Sequence, residues 1–204
     1  HRRIFAAMLA NLDDSVGTVL GQVRKQGLEE NTLIVFLSDN GGPTRELTSS
    51  NLPLRGEKGH LYEGGIRVPF LMQWKGTLPA EKVYDQPVVS LDLFATAASL
   101  VDVKLPRDRT FDGVNLLPYL TGEKTSAPHE TLFWRSMNKS ALRQGDWKLV
   151  RNPPRGKQKS DWELYDLSRD IAETRDMKTA EPVVFEKLKS VWESYNAEMI
   201  APLW

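Results

Sequence analysis

Ser38-Asp39-Asn40-Gly41-Gly42 packs a carboxylate, an amide oxygen and two glycines into five positions. Asp39 and Asn40 are hard oxygen donors of the kind that bind Ca²⁺ or Mg²⁺, and the glycines let the backbone turn away sharply. The same pentapeptide also fits an Asx turn that closes the preceding strand. Two side chains cannot fill the roughly 6 to 8 oxygen positions Ca²⁺ takes, so a metal site here needs ligands from elsewhere. A second chemistry-bearing segment follows at 54–69, Leu-Arg-Gly-Glu-Lys-Gly-His-Leu-Tyr-Glu-Gly-Gly-Ile-Arg-Val-Pro. Its Lys58 lies between Gly56 and Gly59. A glycine-framed ammonium beside an Asp/Asn cation site suits a tetrahedral oxyanion such as sulfate or phosphate: the metal polarises it, and the ammonium neutralises charge as the ester oxygen leaves. Alone, the segment reads rather as a solvated loop with a Gly-Gly turn.

Other residues offer chemistry with a structural reading beside it. Arg55 either steers an anionic substrate or packs. His60, two residues after Lys58, either reaches a substrate or faces solvent. Glu63 and Arg67 flank Gly64-Gly65 and are expected to brace the loop as an ion pair, and His129 is given no role. Trp134, Trp147, Trp162 and Trp192 are read as core rather than as sugar-stacking surfaces. Arg151, Arg155, Lys157 and Lys159 are read as a solvated loop, and Asn138-Lys139-Ser140 fits the glycosylation triplet.

These residues need elements to position them. Apolar residues at Ile4, Met8, Leu12, Val16, Val19, Leu20 and Val23 predict a helix over about 2–26, closed by Gly27. Thr32 to Leu37 is an unbroken β-rich run, the pattern of a strand covered on both faces in a parallel sheet. Val68 to Trp74 predicts a second strand, and 92–101 a helix with Ser90 as its N-cap. From about 126 the chain changes to short strands at 132–135, 141–143, 147–150 and 162–167, with Gln144-Gly145-Asp146 as a hairpin turn. An amphipathic helix through Val184, Leu188, Val191, Trp192 and Tyr195 closes the chain, with Pro182 in its first turn. The division expected is thus 1–125, α/β, and 126–204, a small antiparallel sheet packed with a carboxyl-terminal helix.

Composition narrows the function classes. Lys plus Arg at 27 equals Asp plus Glu at 27, so no global field recruits nucleic acid or an anionic membrane. There is no cysteine, hence no thiolate ligand or cysteine nucleophile. No unbroken apolar run, Leu33 to Leu37 included, approaches the roughly 20 residues of a membrane span, which predicts a soluble chain. The start at His1, with neither Met nor a signal-like segment, predicts a fragment.

Taken in order, the Ser-Asp-Asn-Gly-Gly turn and the 54–69 segment resemble the carboxyl-terminal half of the type I sulfatases, of the arylsulfatase and N-acetylgalactosamine-6-sulfatase kind. The resemblance extends to Arg3–Val19 with Leu12-Asp13-Asp14-Ser15-Val16-Gly17, to 111–122 (Phe-Asp-Gly-Val-Asn-Leu-Leu-Pro-Tyr-Leu-Thr-Gly) and to Trp162-Glu163-Leu164-Tyr165-Asp166-Leu167. It implies an alkaline-phosphatase-like α/β fold that hydrolyses sulfate esters of carbohydrates or aryl alcohols. Asp39 and Asn40 would be Ca²⁺ ligands, Lys58 the catalytic cation, and Arg55 and His60 substrate contacts. It implies a periplasmic, secreted or lysosomal setting and leaves the oligomeric state open. The family nucleophile, a formylglycine made in a Cys/Ser-x-Pro-x-Arg sequence, has no counterpart here, and Asp13-Asp14 sit in the helical periodicity and do not inherit a metal role. The chain alone is therefore expected to be inactive. A non-catalytic sulfated-glycan-binding fragment and a phosphoesterase of the same superfamily are the alternatives.

Overall fold

The computed structural model describes residues 1–45, 48–101, 103–154, 156–157 and 160–201. Of the loop cations, Arg155 and Lys159 fall outside these. The first helix, α1, spans Arg2–Lys25 as its periodicity predicts. Gly27, at φ 67°, ends it: its N–H bonds to Arg24 O and the Leu28 N–H to Val23 O, the paired closure a left-handed glycine permits. No residue of α1 is buried. An 18-residue window of this 24-residue helix has a mean hydropathy of 1.2, so the helix is long and apolar enough to cross a membrane by length and composition. That corrects the expectation that no segment qualifies. Counting unbroken runs missed it because Asn11, Asp13, Asp14 and Ser15 interrupt apolar residues whose average over the window is still high.

The strand β1 (Ile34–Leu37) pairs with β2 (Phe70–Gln73) in a two-stranded sheet. Among the described residues β1 is not covered on both faces, and Phe36 is 42% exposed. The expectation of a fully buried strand is corrected, because two strands cannot enclose one another. Between them lies a one-turn helix, α2 (Glu63–Ile66), where the sequence suggests only a loop.

Two compact units emerge, one of residues 1–16, 36–70 and 131–204 and one of 17–35 and 71–130. Within the latter, α3 spans Asp92–Leu100. Ser90 does not cap it; that expectation is corrected. Asp92, the first residue of the helix and without exposed surface, instead holds backbone outside it. Its two oxygens accept the N–H groups of Val89 and Val114 at 2.8 and 2.9 Å. The same carboxylate meets His129 Nε2 at 2.9 Å, so the residue given no role is this aspartate's partner. A short helix, α4 (Leu117–Leu120), follows, and Thr96 Oγ1 accepts the N–H of the buried Leu116 just ahead of it.

In the former unit, β3 (Thr131–Ser136), β4 (Lys139–Gln144), β5 (Trp147–Arg151) and β6 (Glu163–Asp166) form an antiparallel sheet in chain order. The register sets Leu142 opposite Leu149 and Leu149 opposite Leu164, one apolar row on one face. The helix α5 (Pro182–Glu198) covers that row with Leu188 and Trp192, and Pro182 occupies its first turn as predicted. Trp192 packs edge-on against Trp162 at 5.0 Å and stacks with Phe133. The opposite face carries Ala141, Val150 and Tyr165, and it too is buried, beneath Leu61 and Tyr62. All four tryptophans read as core pack in these two clusters. With both faces covered, β4 and β5 each hold three consecutive buried residues.

Leu149 has no exposed surface and sits at the centre of the row. Leu149→Ala should cost about 2–5 kcal/mol, read as a lower urea midpoint at unchanged slope. A loss below about 1 kcal/mol would mean the row does not hold the sheet to α5.

Candidate functional site

The turn after β1 and the 54–66 segment meet through their backbones. The Gly41 N–H donates to Gly65 O at 3.0 Å. A Cβ on Gly41 would lie 1.7 Å from Gly64 O, so only glycine permits this approach. Gly64 and Gly65 are equally constrained: their Cβ positions fall 2.6 Å from Arg55 O and 2.1 Å from His60 O. A second tie is Asn51, whose Oδ1 accepts the Gly42 N–H while its Nδ2 donates to Gly42 O and Gly56 O. Sequence reasoning passed over Asn51; its position in a loop carries no periodic signal.

These ties place two charged side chains on neighbouring turns. Asp39 and Lys58 are exposed, and among the described residues neither has a hydrogen-bond or ion-pair partner. Asn40 spends its Nδ2 on Gly41 O at 3.1 Å, which fixes the amide and leaves Oδ1 for another partner. An exposed carboxylate and a fixed amide oxygen fit a hard cation such as Ca²⁺, although among the described residues no three His, Cys, Asp or Glu cluster as a ligand set.

His60 lies next to this site. Burial, with Lys139 nearby, pushes its imidazole below the ordinary histidine range, so it is neutral near pH 7. Its Nδ1 accepts the Glu57 N–H at 3.3 Å, which leaves the proton on Nε2. Lys139 Nζ donates to Gly59 O, the carbonyl between Lys58 and His60. Glu57 in turn accepts from Thr44 Oγ1 and pairs with Arg45.

Arg55 is held on several sides. Its guanidinium lies 3.8 Å from the Tyr62 ring centre, and Nη1 donates to Tyr165 Oη, Glu163 Oε2 and Glu173 O. Tyr62 and Tyr165 both donate to Glu163 Oε2 at 2.7 Å. Burial and that carboxylate raise both phenols far above the usual tyrosine range. This network braces the loop against the sheet. Arg151 is likewise no free cation: it lies over Trp162 at 4.7 Å. Asn138, of the glycosylation triplet and in the β3–β4 turn, donates to Lys157 O in the loop after β5.

Beneath the site lies a fully buried ammonium. Lys148 Nζ meets Glu63 Oε1 at 2.7 Å and Glu173 Oε1 at 2.8 Å. Glu173 Oε2 also accepts the Glu63 N–H at 2.7 Å, capping the first residue of α2. The expected Glu63–Arg67 pair exists but is long, 3.8 Å. Burial raises Glu173 above the ordinary carboxylate range, against the pull of Lys148.

Residues 1–103 match the family model described as Sulfatase, and residues 56–197 the model described as N-sulphoglucosamine sulphohydrolase, C-terminal. A sulfatase of Formosa agariphila is 32% identical over 203 residues, covering 87% of this chain and 36% of that protein. Steryl-sulfatase of Rattus norvegicus is 37% identical over 161 residues, covering 70% of this chain and 27% of that protein. The crystal structure of Ps i-CgsB in complex with k-i-k-neocarrahexaose superposes with a TM-score of 0.87 at 30% identity, over 100% of this chain and 45% of that one. The structure of BT4656 in complex with its substrate D-glucosamine-2-N,6-O-disulfate shares the fold, with a TM-score of 0.71 at 20% identity, over 93% of this chain and 39% of that one. The chain thus spans less than half the length of these proteins.

Two measurements check the geometry. Gly41→Ala must push Gly64 aside and should cost about 1–3 kcal/mol. Gly17→Ala, on the open face of α1 with nothing within 4 Å, should be neutral or stabilising by up to about 1 kcal/mol. Equal effects in urea titrations would show that the contact at Gly41 is not tight. The raised Glu173 also has a signed consequence. The folded chain keeps a proton there that the unfolded chain, with its carboxyl near 4.5, has released. Glu173 therefore makes stability fall as pH rises from that value through the folded one, and Glu173→Gln should flatten this part of the stability profile. An unchanged slope in the variant would place the titration elsewhere.

Proposed function

The chain belongs to the sulfatase family, and from that premise we propose that the protein it forms part of hydrolyses sulfuric esters, with sulfated carbohydrate as the substrate class. The fold is the carboxyl-terminal part of the alkaline-phosphatase-like sulfatase fold. The observation that carries the proposal is the pair of unpartnered charges, Asp39 and Lys58, on two turns bound together at Gly41 and Gly65. Charged side chains this close to a rigid backbone junction yet left unpaired among the described residues are available to a ligand that carries both a cation and an anion. The neocarrahexaose bound in Ps i-CgsB supports the choice of carbohydrate over aryl alcohol.

In this reading Asp39 and Asn40 Oδ1 hold a Ca²⁺, which when bound polarises the sulfate ester. Lys58 places its ammonium against the sulfate oxygens and neutralises the charge that gathers as the S–O bond to the leaving group lengthens. Its reach is set by the turns at Gly56 and Gly59 and by the Asn51 tie to Gly56 O. His60, neutral with its proton on Nε2, offers a hydrogen bond that adds no charge. Arg55 acts from behind, through Tyr62 and Glu163, by holding the segment that carries Lys58. The chain has no Cys/Ser-x-Pro-x-Arg sequence, so the formylglycine nucleophile is assigned to residues outside it. The compartment that goes with this reading is the periplasm, the cell exterior or the lysosome.

The test uses the full-length protein and an aryl sulfate. Asp39→Ala and Lys58→Ala should each lower turnover by about 10² to 10³. The shift of the melting temperature on adding Ca²⁺ should survive in Lys58→Ala and shrink in Asp39→Ala, because of these two residues Asp39 alone is a ligand of the ion. Near-normal turnover in Lys58→Ala, or a full Ca²⁺ shift in Asp39→Ala, would overturn these roles. Turnover of a phosphate ester in preference to the sulfate would favour the phosphoesterase reading.

A further inference from the structure

We propose that Lys148 is a positioning residue of the site, its buried ammonium fixing Glu63 and through it the junction that holds the Asp39 turn to the Lys58 turn. Lys148 projects from β5 on the face shared with Val150 and Tyr165, and it has no exposed surface. Its ammonium is caught between Glu63 and Glu173, themselves 3% and 0% exposed. Glu173 reaches that position with φ at 52°, an uncommon backbone angle for a residue with a side chain, and spends its other oxygen on the Glu63 N–H. Glu63 is therefore fixed at both its side chain and its backbone.

The next two residues are the ones that touch the site. The Gly64 N–H donates to Arg55 O at 2.7 Å, and Gly65 O accepts the Gly41 N–H at 3.0 Å. Both glycines pack with no room for a methyl group, so Glu63 cannot move without moving Gly41 on one side or Arg55 on the other. The other charged groups facing Glu63, Arg67 and Arg143, stand at 3.8 and 3.9 Å and cannot replace a contact at 2.7 Å. A buried ion pair is a weak source of net stability, since desolvation offsets most of the attraction, but it does demand one geometry. Here that geometry is passed to both turns.

The catalytic consequence rests on the sulfatase reading; the structural one does not. In the full-length protein, Lys148→Met keeps the stem and removes the charge. Backbone amide exchange at Gly41, Gly64 and Gly65 should then quicken by about tenfold or more while Leu142 and Leu149 in the sheet keep their protection. With an aryl sulfate, kcat should fall roughly ten- to hundred-fold and KM change little, as expected when reacting groups are misplaced rather than lost. If two carboxylates left together prevent folding, Lys148→Met with Glu173→Gln removes that repulsion and serves for the same measurements. Unchanged exchange at the three glycines overturns the proposal, and so does a rise shared equally by Leu142 and Leu149, which would make Lys148 a stability residue only. A wild-type protein without sulfatase turnover would sink the functional reading, and the exchange pattern would then decide this one alone.

Discussion

One buried ammonium shared by two buried carboxylates is the constraint on which the unit of residues 1–16, 36–70 and 131–204 depends. Lys148, Glu63 and Glu173 come from a strand, a one-turn helix and a loop far apart in the chain. Each would be costly to bury alone, so the three must arrive together, and the sheet face beneath them is complete only when they do. Glu63 then starts α2, and α2 delivers the glycines on which the Asp39 turn rests.

A second layer of bracing works by different physics. Arg55 lies over Tyr62 and reaches Tyr165, Glu163 and Glu173 O from one nitrogen, while both phenols share Glu163 Oε2. The segment that carries Lys58 is thus fixed at its start by a stacked guanidinium and at its end by an ion triad. The stretch between them, with Lys58 at its tip, stays exposed. Rigid ends and a free charged tip suit a group that must meet a ligand without first leaving a partner. The unit of residues 17–35 and 71–130 repeats the device on a smaller scale, where Asp92 uses both oxygens on two backbone N–H groups and His129.

Much of this was legible in the residues. Periodicity of 3.6 located α1 and α5, and short segments bounded by turn residues located the four strands of the antiparallel sheet, because those signals are local. The Asp39–Asn40 turn and Lys58 were found by residue type, and the order of motifs pointed to the sulfatase family that the comparisons show. The readings that failed share a cause. A covered β1, a serine cap on α3 and a loop in place of α2 were each inferred from a few neighbours, whereas the outcome was set by residues far away.

The sequence by itself determined the long helices, the strands and which side chains can bind a cation or an anion, since these follow from residue type and short-range spacing. Only the tertiary structure decided that Lys148 points inward. A lysine within an apolar strand is expected to face water, and nothing near it announces that the second face of the sheet is also buried. The structure alone likewise decided that Arg55 braces the loop, that Asp92 joins Val114 and His129, and that Gly41 rests against Gly64. Each of these is a contact between residues distant in the chain, and a burial or a close approach has no signature in either partner until the chain brings them together.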